Sequence, residues 1–221
     1  PEMTIAFAHG TFNIANTIVQ FPFIGVLAYL VTKVIPGEDE VNKYKALYLD
    51  RLLITQAPAI ALGNAKKELV HLASYAIQSL EASYAFFDKG DEKYFDKVEK
   101  YETAVNSIDE ELTTYLIDIS NESLSVSENE VLASVLDSVR DLERIGDLAV
   151  ASANLSQHIH NKGIEFSETA KAELGDVYNR THRIVLDSIR VVVDDDKVLA
   201  GQVILRHEEL EKLEKQLRKT H

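Results

Sequence analysis

The sequence predicts an all-α protein, with an apolar N-terminal region followed by amphipathic helical bundles. Three observations carry that expectation. Turn-formers are scarce, with nine glycines and four prolines in 221 residues, while the helix formers Ala, Leu, Glu and Lys are common. Apolar residues recur at the helical period over long stretches. No stretch alternates cleanly enough to read as a strand.

The bulk numbers narrow the classes of function. Hydrophobic residues make up 46% and charged ones 27%, an ordinary globular balance in a chain long enough for a sizeable core. The formal net charge of -13 repels nucleic-acid phosphates, so no nucleic-acid partner is expected. Metal cations and basic protein surfaces suit it better. There is no cysteine, which excludes disulfide scaffolds, thiol catalysis and Cys-ligated zinc. No nucleophile elbow, P-loop or dinucleotide fingerprint is present. The expectation is therefore a protein that is not an enzyme.

Residues 1–35 read as the last transmembrane segment of a larger membrane bundle. From Met3 to Thr32 there is no Asp, Glu, Lys or Arg. That exceeds the ~20 residues a membrane helix needs. His9, Asn13, Asn16, Gln20 and Pro22 interrupt the run. Polar groups at membrane depth face other helices or water, so this is the final element of a larger bundle and not a lone anchor. A buried helix followed by a second one is the alternative. Lys33, Lys43, Lys45 and Arg51 follow closely and place the C-terminal end on the cytoplasmic side.

Residues 36–58 form a connector. Pro36-Gly37 is a turn signal, and YLDRLLITQAP from Tyr48 to Pro58 holds a short helix. Five longer helices follow. They are expected over Ala59–Phe87, Glu92–Ile119, Ser127 to about Asn161, Ser167–Val193, and from near Asp196 to the chain end. Ser127 with Glu130 reads as the capping box of the third. That helix carries the stripe Val131, Leu132, Val135, Val139, Leu142, Gly146, Ala149 and Val150. The second carries Val98, Val105, Ile108, Leu112 and Tyr115.

A repeat sets the architecture. Ala65-Lys66-Lys67-Glu68-Leu69 matches Ala170-Lys171-Ala172-Glu173-Leu174, and the same offset sets Val105, Ile108 and Leu112 against Leu210, Leu213 and Leu217. Residues 59–163 are then one three-helix bundle. Residues 164–221 are a second bundle, incomplete because it lacks its last helix, with an apolar face that something else must cover.

The stretch DLERIGD, Asp141 to Asp147, concentrates the chemistry. Glu143 and Asp147 are four apart and share one helix face at the edge of the apolar stripe. Asp137, Asp141 and Arg144 fall on the polar side, and Arg140 lies near the pair. Like charges at this spacing destabilise a helix by a few tenths of a kcal/mol, and a hard cation would reverse that sign. The preceding helix offers Glu102 and Asp109 on one of its faces, with Asn106 between. The competing reading is neutralisation by Arg140 and Arg144 in surface ion pairs. Gly146 favours a special role, since a mid-helix glycine costs nearly 1 kcal/mol against alanine. The histidines share no metal-binding spacing and read as surface residues.

DLERIGDLAV after two amphipathic helices resembles the signature of PhoU-like domains. AFAHGTFNIANTIVQFPFIGVLAYLVTKVIPG is similar to the final membrane segment of bacterial sodium-dependent phosphate symporters, the Na/Pi cotransporter family, where an A-x-x-H-x-x-F-N stretch precedes an apolar run. In that family a PhoU-like domain follows the last membrane segment. The resemblance implies tandem three-helix bundles and a divalent or iron-type metal at the ExxxD motif, here Glu143 and Asp147. Glu102 and Asp109 are added from helix geometry alone. It implies a multi-pass cell-membrane protein with a cytoplasmic regulatory domain, whose partner is the upstream transmembrane part that handles sodium and phosphate. A homo-oligomer is left open. The rival readings are a soluble PhoU-like regulator of a separate transport system, a metal-dependent enzyme, and a structural helical adaptor.

Overall fold

A computed structural model describes residues 12, 17, 23 and 44–220. The chain divides into two compact units, residues 1–42 and 43–221. The expected membrane segment over residues 1–35 lies outside the residues described continuously. Among the described residues, no helix is long and apolar enough to cross a membrane.

Among the described residues the second unit is all helix, without a strand. A short helix α1, Arg51–Gln56, leads into α2, Pro58–Lys89. Then come α3, Glu92–Ser120; α4, Val126–Asn161; α5, Glu168–Asp194; and α6, Lys197–Thr220. The local chemistry of each end explains its place. Pro58 opens α2 at its first turn, where a missing N–H is harmless. Gly90 closes it in the left-handed region at φ 65°. Asp91 caps α3 through the Lys93 N–H, and Ser167 caps α5 through the Ala170 N–H. The Asp196 carboxylate accepts from the Val198 and Leu199 N–H groups at the start of α6.

The capping box of α4 is not the expected one. Ser125 is the N-cap and Glu128 its reciprocal partner, with Ser125 N–H donating to Glu128 Oε2 at 2.7 Å. Two S-x-x-E registers overlap here, Ser125/Glu128 and Ser127/Glu130. The earlier one adds a backbone bond from Asn129 N–H to the Ser125 carbonyl at 3.0 Å. It also sets Leu124 against the core just before the helix begins.

Helices α2, α3 and α4 pack as a three-helix bundle. Leu62, Leu69 and Leu72 of α2 meet Val105, Ile108, Leu112, Tyr115 and Leu116 of α3 and Leu132, Val135, Val139 and Leu142 of α4. A smaller cluster of Ala82, Phe86, Val98, Ala149 and Ala153 fills the other end. The expected stripes are thus the buried ones, with Val131 and Val150 at the edges.

Helices α5 and α6 form a hairpin laid on this bundle. Helix α5 leans mainly on α2 and less on α4, and α6 pairs with α5. Gly175 is the only fully buried residue of α5, and α6 has none. A β-carbon at Gly175 would stand 2.8 Å from Tyr84 Oη. Tyr84 is itself stacked on Tyr178 with ring centres 4.1 Å apart. Val198, Ile204 and Leu205 of α6 remain exposed.

Overpacking at a tight contact costs about 1–3 kcal/mol, more than the nearly 1 kcal/mol that alanine gains over glycine in a helix. Gly175→Ala should therefore lower stability by about 1 kcal/mol in urea titration. Hydrogen exchange should place the loss in α5 and α6. Uniform loosening of α2–α4 would contradict this packing.

Candidate functional site

Glu143 and Asp147 project from one face of α4, and Glu102 and Asp109 from α3 beside it. Gly146 explains how the two helices come together at this level. A β-carbon there would stand 3.4 Å from Val105 Cγ1, and Val105 lies between Glu102 and Asp109 on α3. The glycine permits close approach, and the acids of both helices line the same side of the contact.

The electrostatics show that they share a field. Burial pushes the Glu143 carboxyl above its usual range, and Asp147, Asp109 and Glu102 push it further, while Arg144 pulls it down. Burial likewise raises Asp109; a hydrogen bond from Thr113 Oγ1 opposes this, Glu110 adds to it, and Arg140 opposes it. Glu102 accepts a hydrogen bond from Asn106 Nδ2. A cavity of about 250 Å³ opens at the face, lined by Asp109, Thr113, Leu136, Arg140 and Glu143.

Among the described residues, neither Arg140 nor Arg144 comes within the 4.0 Å of an ion pair with a carboxylate. The two arginines act on the face from a distance. For a metal ion, the all-carboxylate donor set has the chemistry of a hard-cation site. The side-chain positions do not complete one: among the described residues, no three His, Cys, Asp or Glu side chains are grouped closely enough to hold a metal ion.

Sequence reasoning missed Glu68 and misread three histidines. Glu68 is fully buried on α2, with Oε1 2.6 Å from His71 Nδ1. His160 reaches the Phe86 carbonyl at 3.2 Å and closes the C-terminal end of α2. His182 of α5 pairs with Glu81 of α2 at 2.9 Å. These are not plain surface residues, because each joins elements or hydrogen-bonds a buried acid. One signal was available for Glu68. It stands where the α2 stripe of Ala61, Ala65, Leu69 and Leu72 calls for an apolar side chain.

The raised carboxyls fix a sign. A carboxyl with a higher pKa folded than unfolded weakens the fold when ionised, so its penalty is present above the folded pKa and vanishes below the unfolded one. Glu143→Gln should raise stability at pH 7 by about 0.2–0.5 kcal/mol, the scale of one like-charge helix pair. The gain should fade as the pH drops to about 4, the ordinary carboxylate range. Thermal melts of both proteins at pH 7 and pH 4 check this, and a variant less stable than the parent at pH 7 would contradict it.

Against known proteins, residues 69–155 match the family model described as the PhoU domain. Those residues run from α2 through α3 into α4 and include all four acids. A protein of Salmonella typhimurium strain LT2, YjbB, whose name describes inorganic phosphate export, is 23% identical over 184 residues. The match covers 81% of this chain, and the chain spans about a third, 33%, of that relative's length. No solved structure matches. The helical bundle is thus PhoU-like over α2–α4, and its similarities are to phosphate-related proteins.

Proposed function

We propose that this chain is the C-terminal part of a sodium-dependent inorganic phosphate symporter, in which a cytoplasmic PhoU-like domain regulates phosphate movement. The observation that carries the reading is the PhoU-domain match over the packed helices α2–α4, preceded by the uncharged run from Met3 to Thr32. The name of the Salmonella relative supports phosphate as the species moved. Sodium and phosphate are handled by the membrane part upstream. The domain itself catalyses nothing in this reading.

Its working surface is the acid face. A divalent or iron-type ion held by Glu143 and Asp147 of α4, with Glu102 and Asp109 of α3, would supply positive charge where burial and the three neighbouring carboxylates hold the Glu143 carboxyl above its usual range. The residues come from two helices, so loading would tie α4 to α3 and bias the bundle toward one packing.

Metal content and flux test the two halves separately. Protein purified without chelator should carry stoichiometric metal, and Glu143→Ala with Asp147→Ala should lose it. Metal in neither protein would remove the metal from the reading and leave the domain. Phosphate flux in cells producing the intact protein should depend on sodium, and the double variant should change it by about fivefold or more, the lower range of allosteric coupling. Sodium-independent outward flux would replace the symporter with an exporter.

A further inference from the structure

The chain enters the bundle along residues 44–50, and one side chain holds it there. Leu47 and Tyr48 point their side chains outward, 66% and 44% exposed. Their two main-chain N–H groups both donate to one oxygen, Glu68 Oε2, each at 2.7 Å. Glu68 is 0% exposed, and its other oxygen meets His71 Nδ1. The rest of the strap is lightly attached. Tyr115 Oη donates to the Asp50 carbonyl at 3.0 Å, Tyr44 sets its ring edge-on to Tyr75, and Leu49 packs at the margin of the core.

The acid has no packing reason to be there. On the α2 stripe an apolar residue would bury well, whereas an unpaired buried charge is strongly unfavourable. What Glu68 gains in compensation is the pair of N–H donors from the strap and the His71 ring. Carboxylate and strap therefore need one another. With the strap in place the charge is sealed and satisfied. With it lifted, the carboxylate loses both N–H donors and must meet water instead. An arrangement of this kind has two discrete states, where a strap held by apolar contacts would loosen gradually.

We propose that Glu68 is a clamp that makes residues 44–50 a two-state strap, closed on α2 while its carboxylate binds the Leu47 and Tyr48 N–H groups and released when those two hydrogen bonds are lost. The clamp goes beyond the phosphate-transport reading and stands without it.

Hydrogen exchange on the full chain tests the clamp with two variants. Glu68→Gln keeps an acceptor but removes the charge, and the Leu47 and Tyr48 amides should exchange about tenfold faster, the difference between charge-assisted and neutral hydrogen bonds. Glu68→Leu fits the apolar stripe but offers no acceptor. Its strap amides should exchange as in an open peptide, and trypsin should cut after Lys45, while α2–α4 keep their protection. Unchanged exchange at Leu47 and Tyr48 in a folded Glu68→Leu protein would overturn the proposal. So would loss of protection across α2–α4 together with the strap in both variants, which would make Glu68 a core residue and not a clamp.

Discussion

Among the described residues, the acids Glu143, Asp147 and Asp109 are positioned by the apolar seam where α2 meets α3 and α4. Leu69 and Leu72, Ile108 and Leu112, and Val135 and Val139 meet there, none more than 1% exposed. Truncating one of these leucines to alanine costs about 2–5 kcal/mol, a large share of the ~5–15 kcal/mol that holds an ordinary domain together. The acids of interest are chain neighbours of seam residues. Asp109 follows Ile108, Glu143 follows Leu142, and Asp147 follows the buried Gly146. A helical step of about 100° sets such a neighbour at the border of the buried stripe. The seam thereby draws Glu143 and Asp109 far enough in for desolvation to be the leading influence on both.

That magnitude also settles what the acid face does for the fold. Each like-charge pair opposes folding by a few tenths of a kcal/mol, and the seam favours it by several kcal/mol per large residue. The bundle can carry the face without neutralising it, as the distant positions of Arg140 and Arg144 show. A cation bound there would therefore act less by holding the domain together than by favouring one packing of α4 on α3 over another.

The seam was legible in the sequence because its signal is local. A 3.6-residue period over thirty-odd residues needs no partner to be recognised, and the stripes of α3 and α4 appear in the structure as the buried residues. The pairing of Glu143 with Asp147 on one face was legible for the same reason. The field they share with α3 was not, because it depends on Gly146 meeting Val105 across two helices. The start of α4 was ambiguous because two capping registers overlap, and Leu124 at the core decides between them. Glu68 was legible in its place on the α2 stripe but not in its partners. Its donors lie 21 and 20 residues before it. His160 and His182 find partners 74 and 101 residues away, beyond any spacing rule.

Helix α2 carries both of the attachments that lie outside the bundle, and they differ in kind. The strap is held at Glu68 by charge. The α5–α6 hairpin is held farther along α2, near Tyr84, by the Tyr84–Tyr178 stack, the Gly175 approach and the His182–Glu81 pair. Ile189 and Val192 of α5 also pack at the margin of the core cluster that holds Leu69, so the hairpin is held at more than one level of α2. Burial, Glu81 and Tyr84 push the Tyr178 hydroxyl up to about 12. That ring stays neutral through the physiological range, so ionisation of Tyr178 leaves the stack undisturbed. The strap's attachment thus rests chiefly on one carboxylate, whereas that of the hairpin is spread over several contacts along α2.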